Sequence, residues 1–451
     1  MGADLYKMVR SRSVLHPAWA VVRASGLASL SPETFRRTKS FDANWLSNVE
    51  RLARQLRNQS FTFENEIGVA LPKGRGKLGR RPLVVAPIEN RIVRRAILDV
   101  LQGDSSSDVD ARRRWTGIPS VRAIMETPTS VGGIQSRGVP LGLSLIDNAV
   151  RNGYHWFIRS DIRDFFTRIP IADVVDFVRK ATSDDAFCNL FAQALATNLA
   201  NKQELEERNH FTLFPSTEVG VAQGSALSAL AGNIVLREFD TAMNGRGLIC
   251  VRYIDDFILL GRTEAKVVAA FKSAQDRLRK LGMTCYDPSD PAALRDGKVD
   301  QGNIHAGTDV LGYRISARSL QPSNKAQDAL LTKLDEIIGQ ARAAMQGAAK
   351  GKVSSQVYLY HQAMVMMNRV TWGWSQSFKY TNAQHVLQNL DDRIDAKIAE
   401  LRRIANSWTN GGSPLTRRRV AGFHLLQDCY ACPLPELPNN HRASESFALA
   451  G

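Results

Sequence analysis

The sequence has no run of about 18 consecutive apolar residues, the length a helix needs to cross a bilayer, so no membrane-spanning helix is expected. It does not open on the charged, apolar and small-residue pattern of a secretory leader, and Tyr6 stands where a myristoylation signal has Ser or Thr. Cysteine is scarce: Cys188, Cys250, Cys285, Cys429 and Cys432 are too scattered for a disulfide framework. Cys429 and Cys432 form one Cys-x-x-Cys pair without a second, which argues against a zinc ribbon even with His424 and His441 nearby. Acidic residues are in deficit, with 44 Asp and Glu against 59 Lys and Arg, a net charge of +15. That excess suits a polyanionic partner, nucleic acid foremost, although a solvated basic surface would carry the same charge. Together these absences predict a reduced, cytoplasmic protein with no membrane partner.

What is present describes a large globular chain. Its 451 residues can bury a sizeable core and form two or three subdomains. Residues 1–60 predict helices, with Ser31 as a cap and Trp45, Val49, Leu52 and Leu56 on one face. A loop rich in Gly, Lys and Arg covers 71–82, then a strand over 83–86 and a basic helix over 90–98. Residues 103–145, with Ser105 to Ser107 and the Gly132-Gly133 step, read as loop, and strands alternate with helices from 155 to 315. Ser323 is a second helix cap, followed at helical spacing by Leu330, Leu334, Ile337 and Ala341, and later by Val386, Leu390, Ile394 and Leu401. The expected organisation is α/β (α+β), an antiparallel sheet with helices. It divides into an N-terminal helical extension (1–60), a mixed domain (61–322), a helical bundle (323–405) and a tail (406–451). The tail carries Arg417, Arg418 and Arg419, and its role is open.

Residues 251–260 join two apolar half-strands at Asp255 and Asp256. Two carboxylates in such a run are costly to bury unless something positive offsets them, and a divalent metal at a hairpin tip would do so. A solvated turn is the plainer alternative, since Asp favours turns. A second acidic stretch runs through Asp161, Asp164, Phe165 and Phe166 at the end of an apolar strand. Asp161 there could equally cap a helix, and the Phe pair could be core. Between them, Gln223-Gly224-Ser225 opens a helix of small residues, a pattern that permits close backbone approach to a base pair or simply tight packing.

In this order, Asp161-Ile-x-x-Phe-Phe166, Gln223-Gly-Ser-x-x-Ser228 and Tyr253-Ile-Asp-Asp256 resemble motifs A, B and C of reverse transcriptases. Arg81-Pro-Leu with Asn90-Arg-Ile-Val-Arg-Arg-Ala96 is similar to the fingers of bacterial reverse transcriptases of the group II intron, retron and abortive-infection lineages. Ser130-Val-Gly-Gly133 resembles their second block, Leu311-Gly-Tyr-Arg-Ile315 their primer grip, and Trp372-Gly-Trp374 with Leu390-Asp391 their thumb. The likeness spans roughly residues 60 to 400 and implies a right-hand polymerase, with fingers and palm over 61–322 and an α-helical thumb over 323–405. It implies that Asp161, Asp255 and Asp256 are the catalytic, Mg²⁺-binding acids, with Asp256 the more peripheral. Phe166 matches the gate against a ribose 2′-OH, within a nucleotide-binding stretch that includes Asp164 and Phe165. Gln223 and Gly224 match nucleotide and template contacts, and Arg81 with Lys73 or Arg75 the triphosphate-binding fingers. Tyr253, Leu311, Gly312 and Tyr313 would meet primer and template. Two departures stand out: Ala229 replaces a usual Pro, and Lys298 is the best match for the lysine before the primer grip.

No endonuclease, RNase H or integrase pattern is legible after the thumb-like region. The segment around Ser31-Pro-Glu-Thr34 and the run through Gly302, Leu311-Gly-Tyr-Arg-Ile315 and Pro322 resemble the unknown-group bacterial reverse transcriptases, many of them antiphage. The resemblance thus implies an RNA-directed DNA polymerase copying an associated structured non-coding RNA into cDNA from dNTPs. It leaves room for a homo-oligomer. An intron-type maturase, an RNA-binding scaffold with a vestigial site and template-independent synthesis stay open as alternatives.

Overall fold

The structure, a computed structural model, describes residues 4–29, 31–73, 79–103, 115–245, 247–351, 358–423 and 425. Two compact units make up the chain, Met1–Leu311 and Gly312–Gly451.

In the first unit, four antiparallel strands form a sheet in the order β4-β5-β3-β6, from Leu248–Tyr253 (β4), Asp256–Gly261 (β5), Trp156–Asp161 (β3) and Val299–Asn303 (β6). Phe157, Ile158, Cys250, Val251 and the whole Phe257–Leu260 run of these strands are buried, as expected for near-continuous apolar segments covered by helices. The helices Val139–Arg151, Ser228–Met243 and Glu264–Lys280 pack against this sheet. A separate hairpin pairs Ile67–Pro72 (β1) with Arg80–Val85 (β2).

The N-terminal helices are not a detached extension. Leu15, Trp19, Leu52 and Leu56 share one hydrophobic core with Ile92, Val93 and Ile97 of the helix Ile88–Gln102. That helix is apolar on most of its circumference, so it needs cover on more than one side. The buried ion pair of Arg94 with Glu66 is bonded further to Asn90, which Glu64 also engages.

Residues 103–145, read as loop, include the helix Pro119–Met125 and the start of the helix Val139–Arg151. Glycine and proline punctuation masks them in sequence. Pro119 and Pro140 lie in first turns, where proline costs no hydrogen bond, and Gly138 precedes the second helix. Its Leu143, Ile146, Ala149 and Val150 are buried.

The second unit begins with a hairpin, Tyr313–Ile315 (β8) and Leu320–Pro322 (β9), which follows a short strand of the first unit, Thr308–Val310 (β7). The helices Asn324–Ala349, Tyr360–Ser377, Gln384–Thr409 and Pro414–Ala421 complete it. Ser323 caps the first of these through its hydroxyl and the Ala326 amide, and Leu330, Leu334, Ile337 and Ala341 line the bundle core with Leu390 and Leu401. The break falls before β8 rather than at Ser323, because the Tyr313 hydroxyl donates to the Ser377 carbonyl at 2.7 Å and the Ser323 amide donates to Gly312. Among the described residues no helix is long and apolar enough to cross a membrane.

Candidate active site

Asp255 sits in a two-residue turn. Tyr253 of β4 pairs with Asp256 of β5, leaving Ile254 and Asp255 at the tip. Ile254 has φ of +62°, a left-handed conformation that a β-branched residue adopts only when its surroundings impose it. Arg252 imposes it from below. Its guanidinium is fully buried and bonds the Ile254 carbonyl at 2.7 Å, Asp240 at 2.7 and 2.5 Å, Ser130 at 2.9 Å and Asn233 at 3.1 Å. From the side, Val131 donates to the Arg252 carbonyl at 2.9 Å, and Gly132 lies so close that a Cβ there would collide with the Ile254 amide nitrogen.

Asp161 arrives on the neighbouring strand. It is the register partner of Asp256, and Ile162 donates to the Asp255 carbonyl at 2.9 Å, which ties the two acidic segments together. On its other side, the Asp161 amide donates to the Lys298 carbonyl at 3.1 Å, and the Lys298 ammonium pairs with the Asp161 carboxylate. Lys298, read from sequence as the best match for the lysine that precedes the primer grip, stands beside Asp161.

The three carboxylates are not equivalent. Asp161 and Asp255 line one cavity of about 890 Å³; Asp256 lies outside its lining, in a crevice with Ile146, Val251 and Leu311. Burial raises the Asp255 carboxyl above the usual range, and the like charge of Asp161 adds to it. Burial also pushes Asp256 up to about 7, against the pull of Arg159, whose guanidinium is 3.6 Å away. Asp256 Oδ1 and Arg159 Nε are both buried without a hydrogen-bond partner. The carboxylates of Asp161 and Asp255, crowded at one cavity, make a hard, oxygen-only donor set, which fits Mg²⁺. Among the described residues no group of three or more His, Cys, Asp or Glu is already arranged around one point. Asp161 and Asp255, which share the cavity, are the candidates to hold the ion. Asp256, expected to be the more peripheral of the three acids, is half-buried and lies outside the cavity that Asp161 and Asp255 line.

The other sequence candidates divide in the same way. Lys73, Arg81, Asp164, Phe165, Phe166, Gln223, Gly224 and Tyr253 all border the cavity. Phe165, however, is buried, with its ring where a Cβ on Gly232 would be, so it is a packing residue first. Phe166 is half-buried, and its carbonyl accepts from Val221 at 2.7 Å, which fixes it beside the Gln223 turn. Gln223 accepts through its carbonyl from Val84 of β2 at 3.1 Å, and Gly224 has φ of +106°, which favours glycine. Arg75 lies outside the described residues. Leu311 lines the Asp256 crevice, and Gly312 has φ of +85°. Tyr313 is buried against Phe378 with its hydroxyl engaged, so its side chain is not free to meet a strand as expected. Sequence reasoning gave Arg252, Asp240, Asn233 and Arg159 no part in the site and named Ser130 only within the segment likened to the second block. The signal was there for two of them: Arg159 and Arg252 each stand inside an apolar strand that leads to an aspartate.

Residues 71–286 match the family model described as reverse transcriptase (RNA-dependent DNA polymerase). Protein YkfC of Escherichia coli (strain K12) is 28% identical over 180 residues, which are 40% of this chain and 41% of that protein. The chain thus spans about two-fifths of the length of the curated relative it matches. Among solved structures, a chain of the partial Cas6-RT-Cas1–Cas2 complex aligns at 21% identity with a TM-score of 0.33, over 61% of this chain and 43% of that one. A chain of the Cas6-RT-Cas1–Cas2 complex aligns with the same identity and TM-score over 27% of its own length. Motifs A, B and C all fall inside residues 71–286, the segment that the reverse transcriptase family model matches, and they converge on one cavity.

Proposed function

We propose that this protein copies an RNA template into cDNA from dNTPs with two Mg²⁺ ions, that the template is an associated structured non-coding RNA, and that the reaction serves antiphage defence in the cytoplasm. The observation that carries the polymerase reading is the meeting of Asp161 and Asp255 in a cavity that also holds Arg81, Phe166, Gln223 and Gly224. Arg81 and Lys73 on the β1–β2 hairpin offer cations to a triphosphate entering from that wall. Phe166 closes the cavity beside the sugar position and selects against a 2′-OH. Gln223 and the exposed backbone of Gly224 support the nascent base pair. Held by Asp161 and Asp255, the metal ions would stabilise charge on the attacking and leaving oxygens of an in-line displacement. The remaining contribution of the protein is positioning of a primer hydroxyl against the α-phosphate. The defence setting is supported by the likeness of residues 31–34 and 311–315 to the unknown-group bacterial enzymes.

The test is to purify the protein from cells, sequence the nucleic acid that accompanies it, and repeat with Asp255→Ala and Asp256→Ala. The expected result is cDNA complementary to one RNA, absent from both variants. Unchanged cDNA in the Asp255→Ala protein would overturn the catalytic assignment. Bound RNA without cDNA, even after phage challenge, would favour an RNA-binding scaffold.

A further inference from the structure

The cation that faces the acidic pair belongs to the chain. Lys298 follows Gly297, which has φ of +65°, and directly precedes β6. Its backbone is held at both ends, the amide donating to Ala293 at 2.9 Å and the carbonyl accepting from Asp161 at 3.1 Å. That pairing fixes the Cα of Lys298 beside that of Asp161, while the side chain, 43% exposed, keeps its freedom on the cavity side. Its ammonium pairs with Asp161 Oδ2 and lies 5.6 Å from the centre of the Tyr286 ring. Arg163, two positions after Asp161, is occupied elsewhere: it pairs with Asp290 at 3.5 Å and stacks on Tyr286 at 4.2 Å. Arg159 is directed to Asp256.

We propose that Lys298 is a built-in counter-ion that occupies Asp161 in the metal-free protein and is exchanged for the divalent cation when the site loads, which frees its ammonium for phosphate oxygens in the same cavity. The inference rests on the metal-site reading above. The physical reason is charge balance. Two crowded carboxylates without a cation would repel one another and strain the turn at Ile254, and a half-buried ion pair offsets that cost while the site waits. A lysine suits the exchange, because its ammonium is a point charge on a flexible stem and can withdraw without disturbing the backbone. Loading then changes one cation for another, so the metal must compete with the lysine. Lys298 is thus a positioning residue that makes metal affinity low until an anionic substrate offers the displaced ammonium a new partner.

The experiment measures Mn²⁺ binding by electron paramagnetic resonance on the full chain without nucleic acid, with and without dATP. The wild type is compared with Lys298→Met and Lys298→Arg. Lys298→Met is expected to bind Mn²⁺ about tenfold more tightly than the wild type in the absence of dATP, and to lose most of the tightening that dATP produces. Lys298→Arg, which keeps the charge, is expected to bind no more tightly than the wild type, and it serves where the Met variant does not fold. Equal or weaker Mn²⁺ binding by Lys298→Met, or tighter binding by Lys298→Arg, would overturn the exchange while leaving the metal site intact. Absence of binding in every protein would instead overturn the metal-site reading itself.

Discussion

Asp256 occupies a costly environment. A carboxyl raised to about 7 from an ordinary 3.8 binds its proton more tightly in the folded state than in the unfolded chain. The sign follows directly: the folded state holds more protons between these values, so stability falls as pH rises through this window. Below about pH 4 both states are protonated and the penalty is absent. Asp255, raised by burial and by Asp161, acts in the same direction. Metal-free Asp256→Asn protein is therefore expected to be more stable than the wild type at about pH 8, by up to roughly 4 kcal/mol, with the gap closing toward about pH 4. Urea denaturation across that range measures it, and a gap that widened on acidification would contradict the assigned burial.

Among the elements, the β4–β5 hairpin is shaped by parts that carry no chemistry. Its strained turn is held by Arg252 below and by the Ser130–Gly133 strap alongside. Gly132 is there because the strap must touch the Ile254 backbone, and only a missing side chain permits that approach. Gly132→Ala is expected to push the tip carrying Asp255 away from Asp161. The loss in kcat should be about a hundredfold, on the scale seen when a reacting group is misplaced by about 1 Å. Primer extension with a supplied template, alongside thermal melting, separates this from general unfolding. Full activity in a well-folded Gly132→Ala protein would show that the strap does not set the turn.

At the scale of the whole molecule, the surplus of 59 basic over 44 acidic residues makes long-range electrostatics the first contact with a polyanion. Binding of a single-stranded RNA is expected to weaken at least tenfold between roughly 50 and 200 mM salt, with log Kd linear in log salt concentration. Fluorescence anisotropy at several salt concentrations gives the slope, and a flat line would mean that the basic surplus is not used for nucleic acid. The charge is spread over two units, and the second is a helical bundle whose core of Leu330, Leu334, Ile337, Leu390 and Leu401 is its own.

The sequence by itself picked out the candidate acidic residues and the elements that carry them. Apolar runs interrupted by Asp161 and by Asp255-Asp256 predict strands ending in carboxylates, and β3, β4 and β5 are those strands. Helical spacing likewise predicts the helices that follow Ser31 and Ser323. Such signals are local, since strand period and capping depend on residues a few positions apart. Only the tertiary structure decided what each carboxylate faces. That Asp161 meets Asp255 in the open cavity while the half-buried Asp256 turns toward Arg159 depends on register between distant strands. The same holds for Tyr313, which a motif offers to a primer and packing commits to Ser377, and for Lys298, whose place at Asp161 comes from the pairing of β3 with β6. Side-chain direction and burial are set by partners far away in the chain, and no local pattern carries them.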